Sequence, residues 1–299
     1  MSKKLKRNKN KVKDRDGQIF NLINVVLLTL FALIIVVPVW NVVISSFATE
    51  SAMAQNFIFF PKSLTIANYE AVLSDSTIWT AFGISVSKTV IGVITHVLFC
   101  SLMAYGMSKK LLRGRSLYSA MGIVTMFFGG GMIPTYLLIK QLGLIDNFLV
   151  YIIPALLSYY DVIILMNFFR DVPVSLEESA KIDGASDFKI FSSIILPLSK
   201  PALATIALFN GVGQWNDFMT AKLYVNNEAL WPLQMRIYEI IVQSQVSQTQ
   251  GFNPLSQSLT TTQGIQLATI VVTATPILII YPLLQKHFLS GMMLGAVKE

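Results

Sequence analysis

The chain has 299 residues, 54% hydrophobic and 13% charged, with 23 Lys and Arg against 16 Asp and Glu and a formal net charge of +7. A soluble globular chain carries about a quarter charged residues; this scarcity would leave large apolar patches in water, and a single cysteine, Cys100, excludes a disulfide scaffold. The charge is also uneven. Lys3, Lys4, Lys6, Arg7, Lys9, Lys11, Lys13 and Arg15 all precede a long uncharged apolar run, which marks a cytosolic tail beside a membrane span and not a nucleic-acid partner.

These features predict an all-α polytopic membrane helix bundle. A span needs about 20 mostly apolar residues to cross roughly 30 Å of hydrocarbon, and six segments qualify. The first runs over about 20–47 with Pro38 inside it, and the second over about 78–107, carrying Lys88 and His96. The third, about 117–139, contains Gly129, Gly130, Gly131 and Pro134; the glycines read as helix breakage or close packing. The fourth, about 148–169, holds Asp161; the fifth, about 202–225, holds Asp217; the sixth, about 265–288, holds Pro276 and Pro282. Alternate loops carry eighteen Lys and Arg on one side and four on the other (Lys62, Lys140, Lys222 and Arg236). That asymmetry places both termini in the cytosol. Ala52, Met53 and Ala54 look like a signal-peptide cleavage site, but the apolar run before them exceeds the 7–15 residues of a signal core. The domain reading is a basic tail over 1–19, a six-span unit over 20–290 and a C-terminal tail over 291–299.

The cytosolic loop at about 171–200 is unlike the others. Pro173 stops the preceding helix, and Ser175 with Glu178 has capping-box spacing. Leu176, Ser179, Ala180 and Asp183 share a helical face, and Gly184 can take the left-handed conformation that ends such a helix. Ser186 can cap a second short helix whose Phe188, Phe191 and Ile195 share a face and which Pro197 closes. On its residues alone this helix-turn-helix reads equally well as an amphipathic connector on the inner leaflet.

Glu178, Ser179 and Ala180, then Gly184, Ile194, Leu196 and Pro197 at their spacings, resemble the EAA motif of binding-protein-dependent ABC importer permeases, with Ser179 where the pattern usually has Ala. Asp183 and Ala185 strengthen the match. So do Met132, Ile133, Pro134, Thr135 and Tyr136; Gly143 and Leu144; Trp215, Asn216, Asp217 and Phe218; and the tail from Gly291 to Lys298. Together these resemble MalG-type carbohydrate permeases, especially the subgroup for complex oligosaccharides, over about 20–299. The resemblance implies a permease subunit of the bacterial cytoplasmic membrane, with no catalysis of its own, that moves a sugar. Its implied partners are a second permease subunit, two copies of a cytosolic ABC ATPase that bind ATP and Mg, and an extracytoplasmic solute-binding protein. In that reading Glu178, Ser179, Ala180, Asp183, Gly184 and Ala185 form the coupling helix and bend that dock into the ATPase, and the tail from about Gly291 also reaches it. The chain itself has no phosphate-binding loop, since it contains no Gly-Lys pair.

Ionisable groups at membrane depth usually face a cavity or a partner. Trp215, Asn216 and Asp217 offer an aromatic face with amide and carboxylate acceptors, which suits a sugar ring, and Tyr159, Tyr160 and Asp161 repeat the pattern. The competing reading is that these acids are simply hydrogen-bonded or wet near the span ends, with the solute held by the other permease. Lys88 and His96 read as interior hydrogen-bonding or interfacial groups, Cys100 as packing, and two distant histidines, His96 and His287, make a metal site improbable. The polar outer loop at about 226–262 is either a docking site for the solute-binding protein, through the resemblance, or a solvated spacer. An ion-gradient-driven carrier is the rival class; it predicts paired broken helices in two repeats, and no such repeat is apparent.

Overall fold

The computed structural model describes residues 15–53, 59–249 and 263–279. The N-terminal lysines, the stretch 250–262, the end of the sixth expected span with Pro282 and His287, and the tail from Gly291 lie outside the described residues. Within them the chain is helical, with one isolated antiparallel bridge between Ala48 and Leu64.

Helix α1 (Arg15–Ser46) continues through Pro38, and its apolar stretch buries nothing within the chain. At about 1.5 Å per residue it is about 48 Å long, more than enough to cross a bilayer. Its C-terminal end is tied to α2 (Ala67–Ser74): the Asn68 amide nitrogen donates to Ser46 O at 3.0 Å and Ala48 O at 3.2 Å. Helix α3 (Ser76–Ser108) starts at Asp75, whose carboxylate accepts from Thr77 N at 2.8 Å, and it is the central post of the bundle. Ser85, Lys88, Gly92, His96, Cys100 and Ala104 recur at three- and four-residue spacing on its buried side.

The third, fourth and fifth expected spans are discontinuous. The third divides into α4 (Arg115–Phe127) and α5 (Met132–Gln141), set at 116° to one another. Phe128 is extended and Gly131 has φ +84°, so no helix can pass; the glycines break the helix. The fourth begins as two 3₁₀ turns, Phe148–Tyr151 and Ile153–Ala155, before α6 (Tyr159–Asp171), which the Ser158 side chain caps. After α7 (Val174–Ile182) and α8 (Asp187–Leu198), helix α9 (Lys200–Asn216) ends where Asp217 turns extended, and the chain resumes as α10 (Met219–Tyr224). Helix α8 contains a π segment, Phe191–Ile195, and runs through Pro197, the residue expected to close it. The polar region after α10 holds an unexpected helix, α11 (Leu233–Thr249), and the described part of the sixth segment is α12 (Gln263–Ile279).

The innermost core lies where α3, α6, α8 and α9 meet: Cys100, Val162, Leu165, Ile190, Ile195 and Ile206 are wholly buried there. Here α3 and α9 approach closely. A Cβ on Gly92 would lie 3.2 Å from the Gln214 side chain and one on Gly211 3.3 Å from Val93, the small-residue contact usual between helices in a membrane. A second cluster around Ile139, Val150, Tyr151, Ala221 and Val225 closes the opposite end of the bundle from the 171–200 loop.

Candidate functional site: an acid-lined cavity and a helix-turn-helix loop

The cavity forms because the helices on either side of it are broken. Asp161 stands in the first turn of α6, and Asp217 caps the C-terminal end of α9. Both carboxylates meet a base from α3. The Lys88 ammonium, with a fully buried side chain, donates to Asp217 O at 2.8 Å and Asp217 Oδ2 at 3.2 Å, and lies 4.8 Å from the centroid of the Tyr151 ring. His96 Nε2 is 2.9 Å from Asp161 Oδ2, its Nδ1 is 2.7 Å from Ala155 O, and the Cys100 sulfur lies 3.5 Å from Nε2. Lys88 and His96 are eight residues apart, about 12 Å along the helix, so α3 fastens two helix breaks at two levels. Asp217 Oδ1 also accepts from Thr220 N at 3.1 Å, starting α10.

Between these pairs lies a cavity of about 550 Å³, with Asp161, Asp217, Asn210, Gln214, Thr220 and Tyr224 among its lining. Of the sequence-predicted pathway residues, only Asp217 faces it. Trp215 is buried against Phe82 and donates to Thr273 O at 3.3 Å, Tyr159 packs on Gly122, and Asn216 and Tyr160 are exposed outside it. Asp161 joins Asp217 there, as do Asn210 and Gln214, which carry no distinguishing pattern in the sequence. Lys88 and His96, read as interior hydrogen-bonding or interfacial groups, are interior and hydrogen-bonded; what the sequence reading missed is that they pair with the two acids. Each span-embedded acid needs a counter-charge, and one helix face offered both bases.

The loop at 171–200 is a second candidate site, built as the expected helix-turn-helix. Helix α7 begins at Val174 after Pro173, placing Ser175 inside the first turn, so the expected capping box does not form. At its other end Gly184 has φ +79°; its N–H donates to Lys181 O at 3.0 Å and Ala185 N–H to Ala180 O at 2.9 Å. These two bonds are a Schellman motif, with Gly184 supplying the left-handed residue. Ser186 Oγ then accepts from Lys189 N at 3.3 Å to start α8. Ala180 and Ala185 are half-buried and pack against the inner core. Phe188 lies with its ring centroid 6.3 Å from that of Phe191 yet is 70% exposed, so of the expected face only Phe191 and Ile195 are buried.

Glu177, one residue before the predicted motif, ties the loop to the bundle: it ion-pairs with Lys109, the cap of α3, which also lies 4.0 Å from the Tyr105 ring. Burial weakens the charge on Lys109, but the Glu177 carboxylate outweighs it and holds the ammonium above its usual pKa. Glu178, Ser179, Asp183 and Gly184 point away, exposed, beside Ile182 at 87% exposure.

Residues 17–294 match the family described as binding-protein-dependent transport system inner membrane component. Protein LplC of Bacillus subtilis (strain 168) is 44% identical over 283 residues, 94% of this chain and 96% of its own length. The polygalacturonan/rhamnogalacturonan transport system permease protein YtcP of the same organism is 43% identical over 94% of this chain and 99% of its own. A chain in the crystal structure of a bacterial ABC transporter involved in the import of the acidic polysaccharide alginate superposes with a TM-score of 0.84 and 32% identity, covering 92% of this chain and 98% of that one.

Proposed function

The chain belongs to the family of binding-protein-dependent transport system inner membrane components, and from that premise we propose that it carries a saccharide, of oligosaccharide class, through the membrane under the drive of a separate ATPase. It is a multi-pass permease subunit of the cytoplasmic membrane and not an enzyme. The saccharide comes from the sugar-transport names among its relatives.

The observation that carries the ATPase coupling is the α7 turn. A helix of nine residues, anchored underneath by Ala180, Ala185 and the Glu177–Lys109 pair, presents Glu178, Ser179, Ile182 and Asp183 outward. An apolar side chain as exposed as Ile182 beside acids and small residues suits a groove on a partner subunit. Glu178, Ser179, Ala180, Asp183, Gly184 and Ala185 then act as one rigid lever, transmitting motion through Lys109 into α3. ATP and Mg belong to that partner, of which the complex holds two copies. The bare girth of α1 supports lipid and a second permease subunit as its surroundings, and the region over about 226–262 is the docking side for an extracytoplasmic binding protein. Six spans with both termini cytosolic, and tails over 1–19 and 291–299, complete the proposed topology.

The test is uptake by proteoliposomes holding the whole complex, with ATP on the ATPase side and no ion gradient. Sugar accumulation is expected under those conditions; accumulation only when a gradient is imposed refutes the proposal. Within the same assay Glu178→Ala should weaken ATPase association while leaving the permease folded, because Glu178 is exposed.

A further inference from the structure

Three polar side chains on the cavity wall hold nothing within the chain. Among the described residues the Asn210 carboxamide, the Thr220 hydroxyl and the Tyr224 phenol line the cavity and have no hydrogen-bond partner. Asn210 Oδ1 is buried as well as unpaired, a state that polar atoms rarely keep without a ligand or water, and the amide nitrogen is the end left to meet a solute. The other polar groups on the wall are engaged. Gln214 Nε2 donates to Tyr151 O at 3.2 Å, and Thr135 Oγ1 to Gly131 O at 2.7 Å. Asp161 is held by His96, and Asp217 by Lys88 and Thr220 N, so both acids serve the joints between helices. The idle groups also follow a pattern. Asn210, Gly213, Asp217, Thr220 and Tyr224 succeed one another at three- and four-residue steps, a single helical face kept across the break between α9 and α10. Gly213 leaves the middle of that stripe open, since a Cβ there meets nothing within 4 Å, and the neighbouring Phe209 ring is 56% exposed.

We propose that Asn210, Thr220 and Tyr224 form a solute subsite that reads saccharide hydroxyls. The inference rests on the saccharide reading above and deepens it by naming the residues that touch the sugar. A sugar hydroxyl both donates and accepts a hydrogen bond. The Thr220 hydroxyl and the Tyr224 phenol do the same, and the Asn210 amide nitrogen donates. The CH face of the ring lies on Phe209, the open aromatic surface of the wall. The volume of about 550 Å³ lies within the roughly 300–1,000 Å³ usual for small-molecule sites. Neutral sugars and uronates share their hydroxyls, so this subsite takes both. Asp161 and Asp217 position the helices that carry it and do not sort the cargo by charge.

Proteoliposomes with the complete complex and ATP are offered a saturating pool of pectin oligosaccharides, or the same pool after carboxyl reduction. The readout is sugar delivered per ATP hydrolysed. Asn210→Leu and Thr220→Val remove the hydrogen-bonding groups at nearly constant volume, and Tyr224→Phe keeps the ring stacked on Tyr136. Each is expected to lower delivery about three- to tenfold in both pools, the range of one lost hydrogen bond, with ATP hydrolysis and the melting temperature retained. Thr220→Ser, which keeps the hydroxyl, should deliver normally, as should Tyr136→Phe, which removes a hydroxyl outside the cavity. Equal delivery by Thr220→Val and Thr220→Ser, or normal delivery by all three subsite variants, overturns the inference. A loss confined to the carboxylate-bearing pool overturns it too, because those groups then bind the carboxylate and not the hydroxyls. Entry of neither pool into liposomes holding the unmodified protein overturns instead the saccharide reading beneath it.

Discussion

The Lys88–Asp217 pair is asymmetric, and that asymmetry predicts an unequal cost for its two halves. Asp217→Asn leaves the Lys88 ammonium wholly buried without a counter-charge, held by the main-chain oxygen of residue 217 at 2.8 Å, a neutral amide and the Tyr151 ring at 4.8 Å. Removing one partner of a buried pair costs about 3–5 kcal/mol, because the other charge stays uncompensated; with the carbonyl bond retained, the lower end applies. Lys88→Met leaves Asp217 instead, which is 27% exposed in the cavity and keeps its bond from Thr220 N. Water can solvate that carboxylate, so the cost falls to about 1–2 kcal/mol, nearer the range of exposed pairs. The double variant removes both charges and should be more stable than Asp217→Asn alone, since neutral replacement of a buried pair is often harmless. Thermal melts of the complex in nanodiscs read this: at roughly 2–4 °C per kcal/mol, Asp217→Asn should melt about 6–12 °C low and Lys88→Met only about 2–8 °C. Equal losses for the two single variants, or strictly additive losses in the double, would refute the assignment of the pair as a coupled, one-sidedly buried unit.

Gly184→Val forces a β-branched residue into φ +79°, at a cost on the order of 1–2 kcal/mol or more. A Cβ there meets open space, so insertion and folding should survive while ATP hydrolysis continues without uptake; normal uptake by this variant contradicts the lever. Gly122→Ala puts a Cβ 2.3 Å from the buried Tyr159 ring and should lower stability by about 1–3 kcal/mol, seen as a lower melting temperature; an unchanged melt shows that α4 slides freely on α6. In the loop after α5, Asp146, with φ +54°, accepts from Asn227 N at 2.8 Å and Asn226 Nδ2 at 3.2 Å, bonds that hold its carboxyl below the ordinary range. A depressed folded pKa stabilises above the unfolded value of about 3.9 and ceases to do so as pH falls through the folded one. The melting difference between the unmodified protein and Asp146→Asn should therefore be full at neutral pH and close on acidification; a gap that widens in acid refutes it.

Much of the 171–200 loop was legible in the sequence because its signals are local. Gly184 at a positive φ and Ser186 as a cap each depend on a few neighbouring residues. The capping box failed for a similarly local reason, since Pro173 let the helix begin ahead of Ser175. Glu177 was passed over because its importance depends on Lys109, 68 residues away in the chain.

By itself, then, the sequence determined the class of the protein. A charge content of 13%, crowded into an N-terminal tail and alternate loops, is compatible with a membrane bundle and little else. It also placed the acids of the fourth and fifth segments and the two bases of the second. Only the tertiary structure decided that these acids and bases are partners, that the third to fifth segments are broken where the cavity opens, and that Asn210 and Gln214 face it while Trp215 does not. The reason is physical. Hydropathy is a property of short windows, whereas a buried ion pair joins residues 129 or 65 positions apart and exists only once α3 stands between α6 and α9.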